Sequence, residues 1–204
     1  MTLLGAANLV PWMTFLSLAD YFSTLYHSNL MEFYFPAVST TALVLTSVIM
    51  LVVGQHMSFE VRVAWSTVVM TLCMTVVPIV DLLLSAGLVN INMGIAFTLC
   101  AVLLNAIFSA VAQSSLYALG ALLGEEYTQA MQTGNGLIGL AAVGIRVATK
   151  LGLPPTPAMQ TFCTVGILIL GSSLVGFYAL LRDPHVSKRI ECHEQRRGVQ
   201  ACAS

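Results

Sequence analysis

Apolar runs of membrane length, separated by short polar punctuation, fill nearly the whole chain. They cover about Leu3 to Leu25, Pro36 to Val53, Val63 to Leu88, Gly94 to Leu123, Thr128 to Lys150 and Ala158 to Leu181. A spanning helix needs about 20 mostly apolar residues, so the pattern predicts an all-α membrane protein with six transmembrane helices. The connections are compact: Tyr26–Phe35, Gly54–Arg62, Val89–Met93, an acidic corner at Gly124–Tyr127, and a proline-rich turn from Gly152 to Pro157. After Arg182 the sequence turns polar and mixed in charge. Residues 1–181 are therefore expected to form one six-helix bundle, and residues 182–204 a flexible cytoplasmic tail.

Within the runs a few polar or special residues stand out. At about 3.6 residues per turn, Asn105, Ser109, Gln113, Leu116 and Gly120 fall on one stripe of the fourth helix. An amide in hydrocarbon needs a partner, so Gln113 should face other helices or a watered cavity. Spacing leaves open whether it makes an interhelical bond or a substrate contact. In the first helix Gly5, Leu9, Trp12, Leu16 and Ala19 share a face, and Pro11 can bend the helix beside Trp12. Trp usually sits at the membrane interface, so a Trp in mid-run indicates either ordinary packing or a lined cavity. Pro78 is expected to kink the third helix. Asp81 follows it near the outer end, with a structural role or a substrate, proton or gating role. Gly134, Gly136 and Gly139 open the fifth helix and permit close helix packing. Arg146 lies two turns past Gly139 on the same face and points inward near the outer end.

Composition sharpens the class. Apolar residues make up 57% and charged residues 8% of the chain, against about 45–50% and about 25% in soluble domains. A net charge of −1 gives no reason to expect a nucleic-acid partner. Five cysteines (Cys73, Cys100, Cys163, Cys192, Cys202) are odd in number and scattered, which suggests neither a disulfide framework nor a metal site. No Ser/His/Asp or Cys/His constellation points to an enzyme, and no cofactor is expected. Gly134-x-Gly136-x-x-Gly139 mimics a dinucleotide fingerprint, but it opens a membrane helix rather than following a strand. The first run has no basic leader, which argues against a cleaved signal peptide. Arg62, Arg182, Lys188, Arg189, Arg196 and Arg197 fall on one side of the predicted topology, Arg146 and Lys150 on the other. The positive-inside rule then places both termini in the cytoplasm. The chain reads as a multi-pass protein of the plasma membrane rather than an internal one.

Two stretches resemble the equilibrative nucleoside transporter family. LLGAANLVPWMTFLSLADYF is similar to the family's first helix, with its Pro-Trp pair and closing Tyr-Phe. AQSSLYALGALLGEEYTQAMQTGNGLIGLAAVG is similar to its fourth and fifth helices. Val61-Arg62 matches its second intracellular loop. The resemblance implies the N-terminal six-helix bundle of a major-facilitator-like transporter, binding a nucleoside or nucleobase between two bundles. It implies that Trp12, Leu9 and Leu16 line the cavity and that Gln113, with Ser109 one turn before it, contacts the nucleobase. It also implies that Gly134 and Gly139 pack tightly and that Arg62 belongs to an inner gate. Met13 replaces the family's usual Asn, and Ser109 its usual Gly. The second bundle, with the family's Asp and Arg ribose contacts, is absent. Besides membrane lipid, the expected partner is thus a second helical bundle from another copy or another chain. Three readings follow: a half-length facilitative carrier working by alternating access, a non-transporting protein that assembles with or regulates full-length carriers, and an unrelated six-helix scaffold.

Overall fold

A computed structural model of the chain describes residues 1–26, 30–54, 58–183 and 186. These form an all-α bundle of α1 (Thr2–Ser17), α2 (Ala19–Leu25), α3 (Met31–Val53), α4 (Phe59–Ser85), α5 (Ile91–Leu123), α6 (Glu125–Gly152) and α7 (Pro155–Leu181). The first predicted span is thus two helical pieces. They meet at Leu18, whose φ of −98° and ψ of 5° leave helical geometry while Leu18 N–H still bonds Thr14 O. Pro11 sits within α1 without ending it.

Five spans among the described residues are long and apolar enough to cross a membrane: Thr2–Leu25, Glu32–Val52, Phe59–Ser85, Ile91–Leu123 and Thr156–Leu181. The remaining long helix, α6, is also of spanning length, about 42 Å at 1.5 Å per residue. It falls short on composition, because Glu125, Glu126, Gln129, Gln132, Asn135, Arg146 and Lys150 interrupt it. The six-span expectation therefore meets five plainly apolar spans and one amphipathic helix of matching length. The acidic corner is tighter than expected. Gly124 alone separates α5 from α6, at φ 129°, a conformation that side chains other than glycine's rarely adopt. Glu125 and Glu126 already belong to the first turn of α6, where the helix dipole favours acids.

The chain's N-terminus, the start of α4 and the ends of α5 and α7 meet at one end of the bundle, where Leu4, Val63, Leu119, Leu123 and Phe177 pack together. The opposite end is closed by aromatic packing of Phe22 edge-to-face on Phe35, ring centroids 5.0 Å apart, and by Tyr26 Oη, which shares a 2.7 Å hydrogen bond with Thr98 Oγ1. Of the expected tail, Arg182, Asp183 and Val186 are described, and the rest lies outside the described residues.

Helix α1 lies against α3, α5, α6 and α7. Its contact with α6 is the closest. A Cβ on Gly134 would stand 2.0 Å from Thr2 O, and one on Gly5 2.3 Å from Met131 O. Those backbones touch only because both sites are glycine. Of the other two glycines expected to pack, Gly139 makes only an ordinary approach, 3.6 Å to Met13 Cε. A Cβ at Gly136 would meet nothing within 4 Å, because that residue lies on the exposed face of α6. The expectation of packing at Gly136 is therefore not met within this bundle. Gly134→Ala should destabilise the folded bundle by about 1–3 kcal/mol, the usual cost of overpacking, whereas Gly136→Ala should be neutral or slightly stabilising. Unfolding of the purified variants in detergent measures both.

Candidate functional site

The buried stripe of α1 runs through Leu4, Ala7, Val10, Thr14 and Phe15. Leu9, Trp12 and Leu16 lie on the opposite side, at 100° per residue. Leu9 and Trp12 are half-buried, and Leu16 is 44% exposed. Trp12 turns sideways into a crevice between α1, α3 and α5, lined also by Phe15, Ser39, Val102, Asn105 and Ser109. Its volume of ≈ 10 Å³ has room for about one water.

Ser109 donates to the backbone carbonyl of Asn8 on α1 at 3.4 Å, and Ser39 to its own helix at Phe35 O. Both hydroxyls are thus held by backbone. The amide of Asn105 differs: the residue is 4% exposed and its Oδ1 has no hydrogen-bond partner. Gln113 is half-buried on α5, one turn beyond Ser109, and does not line this crevice. The structure thus brings Trp12 and Ser109 together and leaves Leu9, Leu16 and Gln113 outside the crevice. Sequence reasoning placed Asn105 on the Gln113 stripe but gave it no role. Its signal was that position, two turns before Gln113.

The charged residues gather at the two ends. At the end opposite the N-terminus, Arg146 Nη2 bonds Asp20 Oδ1, and Lys150 Nζ bonds Asp20 Oδ2 at 2.7 Å. Arg146 and Lys150 stand four residues apart on α6, so both reach the same acid. The Arg146 side chain is 16% exposed, Lys150's 66% and Asp20's 43%. Asp20 was not singled out from sequence, although it is the sole acid of the first span. The next residue, Tyr21, turns the other way and donates to Asp81 Oδ1 at 2.5 Å. Asp81 is buried, 6% exposed, with this phenol as its hydrogen-bond donor.

Consecutive residues of α2 therefore tie it to α6 on one side and α4 on the other. Two open vestibules of ≈ 530 and ≈ 540 Å³ flank this junction and share Tyr21, Leu25 and Thr156 in their walls. At the other end Arg62 is buried with its guanidinium 4.9 Å from the centre of the Phe59 ring, a cation–π distance. Arg62 Nη1 also packs against Gly54, where a Cβ would stand 2.8 Å away.

No family model matches the chain. Over 203 residues, 97% of this chain and 44% of the other protein, it is 28% identical to equilibrative nucleotide transporter 1 of Arabidopsis thaliana. Over 197 residues, 94% of this chain and 50% of the other, it is 26% identical to equilibrative nucleotide transporter 8 of the same plant. The chain spans about half the length of the curated relatives it matches. The chain is thus similar to equilibrative nucleotide transporters across its described helices.

Proposed function

We propose that this chain is half of a facilitative carrier for nucleosides, working by alternating access once a second helical bundle, from another copy or another chain, supplies the opposite wall. The similarity to transporters supports a transporter and not an enzyme. One observation carries the substrate class: the crevice beside Trp12 presents an indole, two hydroxyls and an amide, with no charged side chain in its lining. An aromatic face stacks a heterocycle, and amides and hydroxyls both donate and accept. This neutral set suits an uncharged nucleoside or nucleobase better than the phosphates of a nucleotide.

In this reading Leu9, Trp12 and Leu16, on the side of α1 turned away from its buried stripe, form the substrate wall together with Ser109 and Gln113 of α5. Carriers of this kind rock one bundle against another about a midplane site. The Asp20–Arg146–Lys150 and Tyr21–Asp81 contacts then hold one end in its present arrangement, and Arg62 serves the other end. The protein sits in the plasma membrane with both termini in the cytoplasm and residues 182–204 as a tail. The second reading is a non-transporting chain that assembles with full-length carriers.

Vesicles holding only this chain should take up labelled adenosine, inosine or hypoxanthine, and Trp12→Ala or Gln113→Ala should reduce uptake at least about tenfold, the effect of roughly 1.4 kcal/mol of lost contact. No uptake by this chain alone, with a changed uptake by a co-expressed full-length carrier, favours the second reading, and no uptake alone with the carrier's uptake unchanged counts against both. For the charged end, Asp20→Asn should lower the unfolding temperature by about 2–4 °C, as expected for about 1 kcal/mol in a chain of this size. The exchange Asp20→Arg with Arg146→Asp should recover part of that loss. Equal losses in the single and exchanged variants would show that the pair is not what holds this end.

A further inference from the structure

The two acids at the end opposite the N-terminus are partnered unequally. Asp20 has a cation on each of its oxygens, Arg146 and Lys150. Asp81 is 6% exposed and has the Tyr21 phenol on Oδ1. Its Oδ2 receives no hydrogen bond from the described residues, and it is not sealed away as the unpaired amide oxygens of Asn8 and Asn105 are. Asp81 also stands one turn from Ser85, the last residue of α4, at the end where the helix dipole disfavours an acid. A buried carboxylate without a positive partner is costly.

Asp81 lines the ≈ 540 Å³ vestibule, whose rim includes Gly87, Val89 and Asn90 of the α4–α5 turn. Leu25, Leu84, Val89 and Ile91 give it apolar walls beside Tyr21. Among the described residues no Lys, Arg or His lines it. The neighbouring ≈ 530 Å³ vestibule has the opposite balance, one acid with two bases. A cavity of about 300–1,000 Å³ with apolar walls and a few placed polar groups is the usual form of a small-molecule site. Water alone leaves those walls wet and the carboxylate without a counter-charge. An inorganic ion answers the charge and still leaves the walls wet.

We infer that this vestibule is a binding site for small organic monocations: a protonated amine carried on an apolar body. The ammonium donates to Asp81 Oδ2 while Tyr21 keeps Oδ1, and the body lies against Leu84, Val89 and Ile91. The phenol ring of Tyr21 adds a π face for the positive charge. The inference goes beyond the carrier reading and does not rest on it. It uses no residue of the proposed substrate wall and holds whether or not the chain transports.

The test is equilibrium binding of phenethylammonium to the full chain in nanodiscs of zwitterionic lipid, with empty nanodiscs as the blank. Two probes of like shape are compared: neutral 2-phenylethanol and anionic 3-phenylpropionate. The cation should bind at least about tenfold more tightly than either, the effect of one hydrogen bond to a charged group. Asp81→Asn keeps the shape and an acceptor for Tyr21 while removing the charge. It should weaken the cation to the level of the alcohol and leave the alcohol unchanged. Ser85 is exposed and bonds its own helix at Leu82 O, so Ser85→Phe fills the vestibule without touching Asp81. It should weaken cation and alcohol alike, and it serves if Asp81→Asn does not fold. Cation and alcohol binding equally to the native chain, or no cation binding above the blank, overturns the inference. So does a cation affinity unchanged by Asp81→Asn or by Ser85→Phe.

Discussion

The backbone contact between α1 and α6 sets the geometry of everything else. Thr2 O and Met131 O lie where side chains at Gly134 and Gly5 would stand, so the two helices meet with no side chain between them. In a bilayer such close packing holds helices together, since lipid tails are as apolar as leucine. With α6 and α3 on its flanks and α5 and α7 behind it, α1 is least covered at Leu16, while Leu9 and Trp12 on the same side are half-buried. The same contact brings Arg146 and Lys150, far along α6, within reach of Asp20.

Charge is distributed by the cost of burying it. Ionisable groups inside a membrane protein persist where they find partners, and here they lie near the helix ends. Asp20 is shared by two cations, Asp81 accepts from Tyr21, and Arg62 lies over Phe59. The middle of the bundle is left with neutral polar groups: Asn8, Ser39, Ser109 and Asn105. Only the last of these projects into the Trp12 crevice with its oxygen unpaired. Opposed charges thus lie at one end and hydrogen-bonding neutral groups within, the distribution on which the proposed preference for an uncharged solute rests.

Helix number and length were legible because hydrophobic length is read directly in a bilayer. Each predicted run coincides with a helix to within a few residues, save that the first run is interrupted at Leu18 and most of the helices start earlier than their apolar runs. Those starts were missed for a physical reason: Glu32, Glu60 and Glu125 stand in the first turns of α3, α4 and α6, where acids are favoured by the helix dipole and not by lipid. The periodicity of α5 placed Asn105, Ser109 and Gln113 on one stripe, but period alone does not say which member faces a crevice. Trp12, α3 and the backbone of Asn8 decide that. The partner of Arg146 was illegible for a similar reason, since Asp20 lies 126 residues away. Gly136 illustrates the limit of motif reading, because a small residue packs closely only if a helix lies on its side.

The central claim is that the open side of α1 faces water and solute rather than lipid. It is tested most directly by single cysteines at Leu16 and at Leu45, the latter on the outward side of α3 and 60% exposed, in chains whose Cys100, Cys192 and Cys202 are serine. A charged, water-soluble thiol reagent applied to vesicles should modify Leu16→Cys quickly and more slowly in the presence of adenosine, while Leu45→Cys resists it. Equal resistance at both positions, with modification only by a lipid-soluble reagent, would place Trp12 and its neighbours against the membrane and contradict the claim.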